Sequence, residues 1–470
     1  MGPAERLVRR IRRPGLEHRQ AALGRIRQVS WQVNPNPAAA AWLPGAAPST
    51  RRPPMRAGLI QTFAAALFAA ASAAAQAQAA DPVRFGLCYD LTKIYVAAVP
   101  QVAQAAKDYA DLLNLRGGLE GRPIQVIVQD HGNEPQRGID CYERLKREGV
   151  MVFDFFSTPV SRAALPRIMQ DGNILVQPLV GRGDAVDGEV FKNVFVLAPT
   201  YWGQAANIIS YFKKQAGGNL KGKKVAFLYL DTPFGREPMP VFEALKRLEG
   251  YDFQTFPFPV PGNDQSAAFA QIRRFQPDWV VLWSFSPLNP ISFREMQRNG
   301  IPIDRMVTGN WINEVDINNF GAAAAKGLKR SAVVSGGAEH PLVQDILREL
   351  YDKGKGNGDR KLVADSYYNT GLAVYSSVFE GVRLAIKTQG MPLTAEKIRQ
   401  GMYGLKNFDA KGFMAPITVT PQDHGGGGKT RIDMWDGTKW VPQTPWFADY
   451  TGLVNTLIKA NSADFAKANK

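Results

Sequence analysis

Lys223-Lys-Val-Ala-Phe-Leu-Tyr-Leu-Asp-Thr-Pro-Phe-Gly235 decides the fold, together with Phe256-Pro-Phe-Pro-Val-Pro-Gly262-Asn-Asp264 and Phe275-Gln-Pro-Asp278-Trp-Val-Val-Leu-Trp283 behind it. A β-branched and aromatic run ends at Asp231. A helix-length segment follows, then a strand, a Gly-Asn-Asp helix start, a helix and another strand. Alternation of this kind specifies βαβ units and a parallel sheet. Each strand hands over at its carboxyl end to a loop of polar and aromatic residues, and that edge of an open parallel sheet is where ligands bind.

The pattern extends in both directions. Upstream, strands are expected at Val83–Cys88, Pro123–Val128, Val150–Phe155 and Asn173–Val176. Between them lie helices opened by Pro100, by Asn133-Glu-Pro135 and by Ser157-Thr-Pro-Val-Ser161. Gly117-Gly118 stops the first helix. After Phe195–Ala198 the pattern restarts with a helix at Tyr201. Downstream, strands are expected at Asp304–Thr308 and Ser331–Ser335, then long helices over 341–353 and 365–388. The tail changes character: Ala415–Thr420 and Thr430–Trp435 read as antiparallel strands joined by Gly425-Gly-Gly-Gly428, with a turn at Asp436-Gly437. Nothing between 195 and 205 has a linker's composition, so two lobes sharing a hinge fit better than two domains on a tether. The expected boundaries are 81–198 plus 337–412 for the first lobe, 199–336 plus 413–445 for the second, and a helical tail over 446–470.

Length and charge agree. A chain of 470 residues implies more than one core. The net charge of +15 suggests nucleic acid until it is mapped. Residues 1–56 hold eleven arginines against Glu5 and Glu17, so most of the excess lies there and nucleic acid is not an expected partner. Residues 1–54 read as a disordered leader or a mis-assigned start. Residues 55–80 read as a signal peptide, with the apolar run Ala57–Ala75 and small residues at cleavage spacing up to Ala80. Export follows from it, and no second stretch of about eighteen apolar residues marks a membrane span. Cys88 at a strand end and Cys141 on the second helix are either a disulfide or two buried thiols.

Enzyme signatures are missing: there is no Gly-x-Ser-x-Gly, no Walker loop and no His-Glu-x-x-His. His131, His340 and His424 are not clustered in sequence, and no metal site is expected. The strand ends instead offer Tyr89, Lys93, Tyr95, Ser157, Thr158 and the Gly181-Arg182 loop, with Tyr201 and Trp202 beside the first crossover. The second half adds Asp231, Phe234, Trp283, Ser284, Asn310, Trp311 and Glu314. Singly, such an aromatic is ordinarily core and such a serine ordinarily a helix cap. Together they describe a cleft with rings for walls and few polar groups. Arg182 is either a bidentate carboxylate anchor or a partner for Asp184, and Lys93 has the same two readings.

From residue 82 to residue 445 the chain resembles the periplasmic type I solute-binding proteins of the branched-chain amino-acid group, which serve ABC importers. Carrying the resemblance are Asn114-Leu-Arg-Gly-Gly118, Asp231-Thr-Pro-Phe-Gly235, Pro261-Gly-Asn-Asp264, Asp365-Ser-Tyr-Tyr368 and Phe408-Asp-Ala-Lys-Gly-Phe-Met-Ala-Pro-Ile417. It implies two doubly wound lobes joined by three crossovers, no catalysis and no cofactor. It also implies a small-molecule solute, a membrane permease as partner, a monomer and a periplasmic location. Ser157 matches the place where a hydroxyl and backbone N–H groups hold the solute's carboxylate. Tyr201 falls at a contact after the first crossover. Asp231 and Phe234 match an Asp-x-x-Tyr-Gly pattern without the tyrosine hydroxyl. The acid that holds an amino group falls near Glu314, with Trp311 in the same space. Gly181-Arg-Gly-Asp184 replaces a run that usually carries hydroxyls. These departures point from an α-amino acid towards an aromatic or apolar carboxylate, anchored by Ser157 and Arg182 and enclosed by Tyr201, Trp202, Trp283 and Trp311. Rivals are a sensory module of the same fold and a hydrolase of small amides or esters.

Overall fold

The computed structural model describes residues 80–469. The expected leader and the signal peptide up to residue 79 lie outside them. Two sheets organise the rest. The first holds five parallel strands in the order β2-β1-β3-β4-β5: β1 (Val83–Tyr89), β2 (Ile124–Asp130), β3 (Val152–Asp154), β4 (Ile174–Val176) and β5 (Val194–Phe195). Helices α1 (Val99–Leu115), α2 (Pro135–Arg147) and α3 (Thr158–Asp171) connect the first four strands. Their starts follow local chemistry. Prolines occupy the first turns, where a missing N–H costs nothing, and the Ser157 side chain accepts the Val160 N–H.

After β5 the chain enters α4 (Tyr201–Gln215) and a second sheet. This contains β6 (Lys224–Leu230), β7 (Asp252–Phe258), β8 (Trp279–Trp283), β9 (Met306–Thr308) and β10 (Lys329–Ala332). The short α5 (Pro233–Arg236) and α6 (Met239–Glu249) follow β6; α7 (Ser266–Phe275), α8 (Asn289–Arg298) and α9 (Glu314–Phe320) follow the next three strands. The parallel order β7-β6-β8-β9-β10 repeats that of the first sheet. The chain then returns through α10 (Pro341–Glu349), α11 (Ser366–Gln389) and α12 (Ala395–Met402), of which α11 packs along α1. Finally β11 (Arg431–Trp435) and β12 (Trp440–Pro442) extend the second sheet, and α13 (Thr451–Ala468) closes the chain.

Two details differ from expectation. Residues 415–420 are not the partner of β11, which pairs antiparallel with β10 on one side and β12 on the other. The apolar side chains of Ile417 and Val419 are buried as connectors: Ile417 bridges Phe408, and the Val419 N–H donates to Leu405. His424 likewise stays on the first lobe, accepting from Val196 and Leu197. Beyond it, three positive-φ glycines at 426–428 let the chain turn before it enters β11. Cys88 on β1 and Cys141 on α2 form a disulfide with their Cα atoms 6.2 Å apart.

Candidate functional site

In each sheet the strand order reverses direction beside its first strand, between β1 and β3 in one and between β6 and β8 in the other. Ligands bind in the crevice at such switch points. Here the two crevices face each other and enclose one cavity. From the first lobe come Tyr95 after β1, Phe156 and Thr158 after β3, and Leu179 after β4. From the other side come Tyr201 at the start of α4, Phe234 after β6, Phe285 after β8 and Trp311 after β9.

The walls are rings in mutual contact. Tyr95 meets Phe285 edge-on at 4.8 Å between centroids, Phe156 meets Trp311 at 5.5 Å, and Tyr201 meets Phe234 at 5.5 Å. Such arrangements suit the ring quadrupole. The polar atoms are few and mostly engaged. The Trp311 indole donates to the Tyr201 hydroxyl at 2.7 Å, and that hydroxyl donates to the Leu179 carbonyl. Thr158 Oγ1 accepts the Gly181 N–H at 2.9 Å. No lining residue carries a formal charge. The free volume of the cavity is about 20 Å³, so any solute larger than water enters only if the lobes part.

Two lining residues sit in the left-handed region, Phe156 at φ 46° and Leu179 at φ 51°. For bulky side chains that is strained backbone, which tends to cluster at ligand clamps. Behind Phe156, Asp154 holds the turn by accepting the Phe156 N–H at 2.9 Å. The same carboxyl accepts from the Tyr89 and Tyr375 hydroxyls at 2.8 and 2.9 Å. Burial pushes its pKa up to about 7, against the pull of those hydrogen bonds.

Of the residues expected at a site, Tyr95, Thr158, Tyr201, Phe234 and Trp311 line this cavity. Tyr89 and Trp283 stand one layer behind it. Tyr89 is 5.5 Å from the Phe156 ring, and Trp283 is edge-on to Tyr201 at 5.3 Å. Asn310 follows β9 but is not in the wall. Ser157 is turned to helix capping and donates to Asn133 Oδ1 at 2.6 Å. Lys93 is exposed beside Gly132.

The remaining expected residues have their side chains engaged outside this cavity. Arg182 pairs with Asp184 at 2.9 Å and lies over the Phe191 and Phe465 rings, so its guanidinium faces α13 and not the cavity. Trp202 donates its indole N–H to the Glu237 carbonyl at 2.9 Å, away from the other rings. Asp231 is taken up by Arg236. Glu314 accepts from the Ser366 N–H and hydroxyl at 3.1 and 2.8 Å, at the start of α11. Phe156, Leu179 and Phe285 are not among the expected residues although they too follow strand ends, so the strand-end rule alone would have included them.

A family model described as periplasmic binding protein matches residues 82–439. No curated protein matches the chain. A solved structure described as an ABC transporter permease from the Pseudomonas fluorescens group is 31% identical, with a TM-score of 0.76 over 83% of this chain and 97% of that one. A branched-chain amino acid ABC transporter protein from Thermus thermophilus with bound valine is 20% identical, with a TM-score of 0.71 over 80% and 98%. A solute-binding protein from R. palustris in complex with benzoate is 16% identical, with a TM-score of 0.64 over 78% and 98%. The last two share the fold.

Proposed function

The chain belongs to the periplasmic binding protein family, and we propose that it is an exported receptor that captures a small aromatic or apolar acid between its lobes and presents it to an ABC-type importer. The observation that carries this reading is the cavity wall itself: six aromatic rings, a threonine and aliphatic groups, without a formal charge. An α-amino acid would need an acceptor for its ammonium group, and Glu314 is engaged elsewhere. A carboxylate would be met by the hydroxyl and backbone N–H of Thr158 at the start of α3, whose N-terminus carries partial positive charge. Its ring or chain would lie among Tyr95, Phe156, Phe234, Phe285 and Trp311. The solute touches both lobes at once, which is what allows it to favour the closed arrangement.

The test is a thermal-shift panel of aromatic acids, short apolar acids and amino acids, with each compound quantified before and after incubation. Benzoate-like acids are expected to stabilise the protein saturably and to be recovered intact. Preferential stabilisation by amino acids overturns the solute class, and consumption of the compound overturns the receptor.

A further inference from the structure

The Gly181-Arg-Gly183 run is not absorbed by the cavity, yet its backbone lies against the other lobe. A Cβ on Gly183 would fall 2.5 Å from the Trp202 ring, and one on Gly181 would fall 3.2 Å from a Glu237 carboxylate oxygen. Trp202 is held in place by the bond from its indole N–H to the Glu237 carbonyl. Glu237 follows α5 in the second lobe, and its side chain is only 4% exposed. Both carboxylate oxygens are satisfied by the first lobe. Oε1 accepts the Gly183 N–H at 2.7 Å, and Oε2 pairs with the Arg162 guanidinium of α3.

We propose that Glu237 is a clasp between the lobes: it docks into a receptor made of Arg162 and the Gly181–Gly183 loop, and so sets how much of the protein is closed, independently of which solute is bound. The clasp rests on the two-lobed receptor reading and deepens it by naming a residue that tunes affinity from outside the cavity.

The argument is one of differential contact. A carboxylate removed from water is tolerated only where partners replace its hydration, and both of these partners belong to the opposite lobe. When the lobes part, all three groups return to water. When they meet, glycine at 181 and 183 lets the loop come close enough for its N–H to reach the acid. A contact made only in the closed state shifts the equilibrium towards that state, and apparent affinity scales with the closed-competent fraction. Because the clasp does not touch the solute, weakening it lowers affinity for every solute by the same factor. A change in the cavity wall discriminates among solutes instead.

The experiment uses no solute, so it decides the clasp whether or not the proposed solute class is right. Spin labels on Arg147→Cys in α2 and Arg273→Cys in α7, both exposed, report the distance between lobes by pulsed electron resonance while Cys88 and Cys141 stay paired. The parent should show a short-distance population. Glu237→Ala should lower its ratio to the long-distance population by at least about tenfold, the scale of a lost charge-assisted pair. Gly183→Ala removes no charge and should act in the same direction through Trp202, so it carries the test if the first variant does not fold. Near-ultraviolet circular dichroism of each variant should match the parent. A parent without the short-distance population, or a folded variant that keeps it unchanged, overturns the clasp.

Discussion

Asp154 shows how one buried acid can hold a site in shape. Its carboxyl accepts from two tyrosine hydroxyls and from the N–H of the strained Phe156. With its pKa up at about 7 in the folded protein and near 4 in the unfolded chain, the folded state holds the proton more tightly. Stability is therefore fully present below about pH 4 and falls as pH rises towards 7. Asp154→Asn should remove about 2–4 kcal/mol of that fall, read from denaturant midpoints measured across the window; an unchanged slope would place the titration elsewhere. Two further substitutions separate the ring wall from the loop behind it. Trp311→Ala should weaken binding of an aromatic acid by at least about tenfold, since it removes both ring contacts and the donor that fixes Tyr201. Arg182→Ala should leave the relative affinities of charged and uncharged solutes unchanged in calorimetric titrations, because its guanidinium is committed to Asp184 and Phe465.

At the level of elements, the Cys88–Cys141 bridge pins α2 to β1, the strand whose end begins the cavity wall. Closing a loop of this length restricts the unfolded chain, worth about 4 kcal/mol on the chain-entropy scale. Reductant should lower the unfolding midpoint correspondingly, and the double Cys→Ser variant should lose its sensitivity to reductant. The last helix, α13, ties both lobes along one flank. Ser462 and Lys459 hold the buried Asp187, Phe465 meets Phe191, and the preceding Tyr450 donates to Glu249 on α6. Asp187→Ala removes the shorter bond of the buried Ser462 hydroxyl and an ion-pair partner of Lys459, and should raise amide exchange across Thr451–Ala468. The mispairing expected for 415–420 has a related cause. An apolar alternation near a glycine run resembles a hairpin strand, but here those side chains are buried by the first lobe while β10 supplies the free edge that β11 needs.

Across the whole molecule, two sheets of the same strand order present their switch points to each other. A solute that bridges them should stabilise the folded protein by about 2.7 kcal/mol at a hundredfold excess over Kd. The sequence by itself determined the two parallel lobes, because alternating apolar runs and capped helices are local patterns that leave one topology open. It also determined which loops lie at the binding edge, since that follows from strand direction. Only the tertiary structure decided which side chains in those loops converge. Thr158, Tyr201, Phe234 and Trp311 turn inward, while Trp202 and Glu314 find partners on neighbouring elements and Arg182 pairs with Asp184 under the Phe465 ring. The physical reason is that a strand's end fixes where a loop begins, whereas a charged or hydrogen-bonding side chain goes to the nearest group that replaces its water, and for Trp202 and Glu314 that group is brought near only by distant parts of the chain.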